Sequence, residues 1–208
     1  MRASLAPIWR MKLLHRLRFF LQITRAHGIV RRYFVTNGFD GALAMLGLLM
    51  GFYLSGGAAL SVVLSACLGT AIALGMSGLT SAYMSESAER KRAIQALEHA
   101  MVADLGESAH GAAARYVPCV IALVNGVSPL VIALIIVVPL WLGLHHMWLP
   151  FGVIESAIAM AFGVIFLLGI FLGKVSGTFW LWSGIRAVVV ALVTAGLIVL
   201  FEQSLSMD

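Results

Sequence analysis

Five long apolar runs divide the chain: Phe34–Leu54, Ala58–Met84, Val117–Leu144, Pro150–Gly173 and Phe179–Phe201. Each is long enough to cross the hydrocarbon core of a bilayer as a helix, which takes ~20 mostly apolar residues. The connectors are short except for Ser85–Tyr116, which is polar enough to leave the bilayer and carries Ile94, Leu97, Met101 and Leu105 at helical spacing. That segment predicts a helical extension of the second run and a turn near Gly106 or Gly111. Ahead of the first run, Ile8, Trp9, Leu13, Leu14, Leu17, Phe20 and Leu21 recur at helical spacing with Arg10, Lys12, Arg16 and Arg18 between them. The cations break every apolar stretch there, so no signal-peptide core exists. The pattern predicts an amphipathic helix in the membrane interface, ending near Gly28. The expectation is an all-α membrane protein: a basic interfacial segment over 1–32, then a five-span domain over 33–208 with a short helical segment at 85–116.

Composition strengthens the pattern, since 61% of the 208 residues are hydrophobic and only 11% are charged, too apolar a balance for a soluble domain. The net charge of +5 is placed by loop. Eight of the fourteen Lys and Arg precede Phe34; Arg90, Lys91, Arg92 and Arg115 lie between runs two and three, and Lys174 lies between four and five. The stretches Ser55–Gly57 and His145–Leu149 have none, nor do the residues after Phe201. Cytoplasmic loops carry the excess of Lys and Arg, so the N-terminus is expected inside, the C-terminus outside and the number of spans odd. In a prokaryote this means the cell (inner) membrane. The basic residues have no aromatic interleaving of the base-stacking kind, which excludes nucleic acid as a partner.

Enzymatic chemistry finds no footing. All six histidines lie outside the runs, so none meets Ser77 or Ser81 as a general base, and none could hold haem between spans. No phosphate-binding glycine loop of the Walker type is present. Cys67 and Cys119 fall inside apolar runs and make no disulfide framework. Neither an enzyme nor a cofactor is expected, and any transport would run on gradients.

The runs contain a few polar groups at one depth. With directions set by the loop charges and ~1.5 Å rise per residue, Asp40 lies roughly 10 Å above the cytoplasmic end of the first span. Asn37, Met76, Ser77, Thr80, Asn125 and Arg186 fall near the same level. Two readings stand. In one, Asp40 and Arg186 neutralise each other and Asn125 bonds a backbone carbonyl, giving glue between helices in a non-transporting scaffold or regulator. In the other, the layer is a transient cation site: a carboxylate and amide oxygens are hard ligands, and the Met76 thioether suits late first-row divalent ions. Helix faces bear on the choice. Asn37, Asp40, Ala44, Gly47 and Gly51 make one small-and-polar stripe, and Gly69, Ala73, Met76, Thr80 and Tyr83 another, so a path lined by spans one and two at a dimer interface is the more specific expectation.

Outside the spans, Glu86 and Glu89 share a face one turn apart, and Asp104, Glu107 and His110 follow at three-residue steps. They could hold a divalent ion if the helix continues through Gly106; Arg90, Lys91 and Arg92 are equally natural salt-bridge partners for Glu86 and Glu89. His145, His146 and Glu155 gather near the opposite boundary, where they could receive an exiting ion, though interfacial anchoring is the simpler role.

The string Arg32-Tyr-Phe-Val-Thr-Asn-Gly-Phe-Asp40-Gly41, the span-two ending Ser81-Ala82-Tyr83-Met84-Ser85 with Glu89 beyond it, Gly126-Val-Ser-Pro129-Leu130, and Ser183-Gly184-Ile-Arg186 together resemble the vacuolar iron transporter family, from about residue 31 onward. The resemblance implies five spans per protomer, a homodimer with its path between spans one and two, and export of Fe²⁺ or Mn²⁺ from the cytosol in exchange for protons. It carries the family's span-one aspartate to Asp40 and its span-two methionine to Met76. The chain departs from the family's pattern at two places: Ser81-Ala82-Tyr83 stands where members commonly have Gly-Glu-Tyr, and a connector of about thirty residues replaces a glutamate-rich cytoplasmic metal-binding domain. It resembles a divergent, short-loop branch.

Overall fold

A computed structural model describes residues 26–102, 104–106, 108–147 and 151–205; the interfacial helix expected over the N-terminal segment lies for the most part outside them. Five α-helices follow one another: α1 (Ala26–Ser55), α2 (Leu60–Met101), α3 (Ala109–Leu144), α4 (Val153–Ser176) and α5 (Trp180–Leu205). Each is long and apolar enough to cross a membrane. The five predicted runs therefore coincide with five helices. α1 passes through Gly28, Arg31 and Arg32 without a break, and α2 carries on for nearly five turns past Met84.

The ends of the helices follow from local chemistry. α1 stops at Ser55, where Gly56 and Gly57 take φ of 63° and 76°, backbone that a side chain would strain. α2 stops because Val102 adopts φ 49°. Asp104 Oδ1 then accepts the Gly106 N–H at 2.8 Å, and Ser108 Oγ accepts the Gly111 N–H at 3.1 Å, capping α3. α4 closes on Gly177 in the left-handed conformation, its N–H returning to the Gly173 carbonyl.

The described residues form two compact units, 26–34 with 76–126 and 35–75 with 127–205. In the first, Ala113, Val117 and Ile121 of α3 are buried, with Ile29, Val30 and Tyr33 of α1 packed against them. In the second, the core draws Met45, Leu46 and Leu49 from α1, Val63 and Cys67 from α2, Ile136 and Leu140 from α3, Ala161 and Ile165 from α4, and Ala187 and Ala191 from α5. Small residues set the spacing. A Cβ on Gly41 would lie 2.8 Å from Pro129 Cα, and one on Gly169 would lie 2.7 Å from Ala187 Cβ and 2.8 Å from the Ser183 carbonyl. These are backbone-to-backbone approaches that only glycine allows, the packing that holds helices together where water provides no hydrophobic drive. The outward faces stay apolar, as with Ile135, Val138, Val189, Val193 and Leu200, so the helices are hydrophobic all round.

Candidate functional site

Asp40 sits near the middle of α1, with roughly 22 Å of helix between it and Ser55. Its neighbours decide where it points. Gly38 and Gly41 are both buried; a Cβ on Gly38 would lie 3.2 Å from Ser128 Oγ, and Gly41 lies against Pro129. α1 is thus pressed onto α3 along its glycine face, and Asp40, about 100° round the helix from Gly41, is left exposed. Among the described residues it has no ion-pair partner.

Arg186 is turned outward by the same kind of contact. Gly184 of α5 packs on Phe166, and Ala187 on Gly169, so the α4-facing side of α5 is glycine and alanine while Arg186 is exposed. The Asp40–Arg186 ion pair of the structural reading is not formed in the protomer: each side chain leaves its helix about 100° round from a packed neighbour, Gly41 and Ala187 respectively, and is exposed. Asn37 is half-buried and engaged in an interaction of its own.

The other unit holds the rest of the layer. Asn125 is buried at 4% exposure, and its Nδ2 donates to the Gly78 carbonyl at 2.6 Å. A Cβ on Gly78 would come within 2.9 Å of the Asn125 backbone oxygen, so glycine is what lets α2 and α3 close on this bond. Asn125 is therefore the interhelical tie that one reading of the layer anticipated. Met76, Ser77 and Thr80 are all exposed, with Met76 at 58%, and Thr80 Oγ1 donates to the Met76 carbonyl one turn earlier at 2.9 Å. The stripe read from the sequence is one open face of α2: Gly69, Ala73, Met76, Thr80 and Tyr83 are exposed without exception.

The candidate ligands beyond the spans separate. Glu86 and Glu89 do not share an environment: Glu86 is buried at 5%, accepts a hydrogen bond from the Tyr33 hydroxyl at 3.5 Å and pairs with Arg90 Nε at 3.7 Å, whereas Glu89 is exposed. Asp104 does not stand on a helix face, because the described residues between Met101 and Ala109 are non-helical and Asp104 is taken up by its turn. Glu107 and the His110 side chain lie outside the described residues. No three of His, Cys, Asp and Glu gather to hold a metal ion among the described residues. At the other end, His145 packs edge-on against Trp141 with ring centroids 4.4 Å apart, and Glu155 folds back over Gly152 at the start of α4. Both have local structural roles.

Tyr33, Gly78 and Ser128 were not legible as partners. Nothing in a linear pattern says which glycine receives a buried amide. Ser128, fully buried, stands out in retrospect only as a hydroxyl beside Pro129 in an otherwise aliphatic run.

The uncharacterized protein MJ0645 of Methanocaldococcus jannaschii is 31% identical to the chain over 179 residues, covering 83% of this chain and 88% of the archaeal one. The chain belongs to its family. No family model matches the sequence, and no solved structure matches it.

Proposed function

We propose that the chain is a multi-pass membrane transporter that moves divalent transition-metal ions, Fe²⁺ or Mn²⁺, out of the cytosol in exchange for protons. The metal is substrate, not resident cofactor. In this reading the N-terminus faces the cytosol, in keeping with the Lys and Arg distribution. The observation that carries this reading is Asp40: a carboxylate midway along an apolar helix, exposed on the protomer, with no ion-pair partner among the described residues. A charge within the hydrocarbon core is costly, up to about 2.5–3.5 kcal/mol at its centre on insertion scales, and such groups mark ion or proton paths. A cation or a proton relieves that cost, and exchange of one for the other is antiport.

The open face of α2 supports a homodimer. Gly69 and Ala73 allow close approach of a second helix, and Met76 on the same exposed face supplies a thioether for an ion of intermediate softness. In this reading Asp40 and Met76 are ligands of the passing ion, while Asn125 and Arg186 do not coordinate it. The resemblance of the Asp40-Gly41, Gly126–Leu130 and Ser183–Arg186 segments to iron and manganese transporters points the same way. The connector is short, and among the described residues its carboxylates do not gather into a group that would store metal outside the span.

The test is flux. In proteoliposomes loaded with a metal-quenched dye, an imposed pH gradient is expected to drive Fe²⁺ or Mn²⁺ uptake that Asp40→Asn abolishes while the variant elutes as the native species. Absence of metal flux under every gradient, with protein correctly inserted, would overturn the proposal.

A further inference from the structure

Where α2 leaves its apolar stretch it forms, with the first two turns of α3, an open cleft of about 440 Å³. That volume is in the range of sites that hold small molecules. Its charge is unlike that of a metal site. Lys91 and Arg115 both line it, and neither has an ion-pair partner among the described residues. Ser87, Gln95 and Tyr83 add neutral residues with hydrogen-bonding groups, and Ile94 and Ala114 add apolar wall. Glu98 is the one carboxylate on the lining, and its Oε1 already accepts the Leu105 N–H at 3.0 Å. The cations Arg90 and Arg92 do not line it; Arg90 is held by Glu86. The N-terminal turns of α3 add the positive end of a long helix dipole on the same side.

Two cations from different helices, lining one cleft together with hydrogen-bonding side chains, suit an oxyanion rather than a metal ion, and a phosphate has enough oxygens to receive donors from both. We propose that this cleft binds a phosphate ester, with Lys91 and Arg115 on the phosphate oxygens and Ile94 and Ala114 against the carbon skeleton. The ester comes from one of two sources, the headgroup of an anionic phospholipid or a soluble phosphate metabolite. The proposal does not rest on the transport reading: Lys91 and Arg115, which carry it, lie outside the α2 stripe of the metal path, and Tyr83 alone belongs to both.

Binding of three probes to the full-length protein in detergent micelles tests this: inorganic phosphate, sn-glycerol 3-phosphate and dioleoyl phosphatidylglycerol, with dioleoylglycerol as the phosphate-free control, read by native mass spectrometry and thermal shift. Saturable binding of at least one phosphate probe is expected, absent for dioleoylglycerol. The double change Lys91→Gln with Arg115→Gln is expected to weaken it about tenfold or more, whereas Arg92→Gln, on the same helix but off the cleft, and the charge-keeping Lys91→Arg bind as the native chain does. Glycerol phosphate saturating as well as the lipid assigns the site to a soluble ligand; binding of phosphatidylglycerol alone assigns it to lipid. Should the double variant lose its helical circular dichroism, the single changes decide, each expected to weaken binding several-fold. No phosphate probe binding the native chain, unchanged binding in the folded double variant, or an equal loss in Arg92→Gln would each overturn the proposal.

Discussion

At the scale of single residues, the separation between structural and chemical polar groups is testable. Asn125 is buried and bonded to the Gly78 carbonyl, so Asn125→Ala is expected to destabilise the protein by about 1 kcal/mol, in line with interhelical hydrogen bonds in membrane proteins. Metal selectivity of any flux is expected to stay unchanged. Unfolding in mixed micelles measures the first and dye-based flux the second. Gly78→Ala is expected to cost more, because its methyl would meet Asn125 backbone rather than the end of a flexible side chain. Asp40→Asn is expected to behave in the opposite way, leaving stability unchanged or raised, since it removes an exposed charge and no described ion pair. Asp40 was legible in the sequence because a carboxylate in an apolar run is conspicuous. Its solitude was not, because partnership depends on which way Gly38 and Gly41 face.

At the scale of helices, the lengths and the order followed directly from the apolar runs, and the helical extension of α2 followed from the period of Ile94, Leu97 and Met101. The turn after it shows where the linear pattern stops being informative. A ladder of Asp104, Glu107 and His110 presupposes helix, and Val102 in the left-handed region ends it seven residues before α3 begins. Ser108 then caps α3. Ser108→Ala is expected to cost about 1 kcal/mol, and faster amide exchange at the start of α3, measured by hydrogen–deuterium exchange, would register it. Glycines on α4 and α5 fit one another along the hairpin, and Gly169→Leu is expected to prevent folding, since the added side chain would occupy the backbone of Ser183 and Gly184. Loss of the monodisperse species on size exclusion is the readout.

At the scale of the whole molecule, the open face of α2 and the exposed Asp40 give the clearest expectations. In a Cys119→Ser background, Ala73→Cys is expected to cross-link two copies under mild oxidation and Ala82→Cys, which is buried, is not. Equal cross-linking of both positions, or of neither, would argue against a dimer through this face. A double-mutant cycle of Asp40→Asn and Arg186→Gln is expected to be additive within about 0.5 kcal/mol, because the two groups do not pair in the protomer. A larger coupling would restore the structural pair, formed between subunits.

Hydrophobic length and period alone determined that the described residues are helical and how many membrane-length helices they form. Those properties are local sums over a window, and neighbours elsewhere in the chain do not alter them. The distribution of Lys and Arg set an expected orientation for the same reason. Which polar groups are satisfied was decided only by tertiary structure. Asn125 and Glu86 acquired partners 47 and 53 residues away, while Asp40, Arg186, Lys91 and Arg115 were left without ion-pair partners among the described residues. The physical reason is rotation: glycine contacts select the buried face of each helix. Once that face is chosen, every other side chain is directed by the 100° step of the helix, toward a partner or toward the surface where a ligand can reach it.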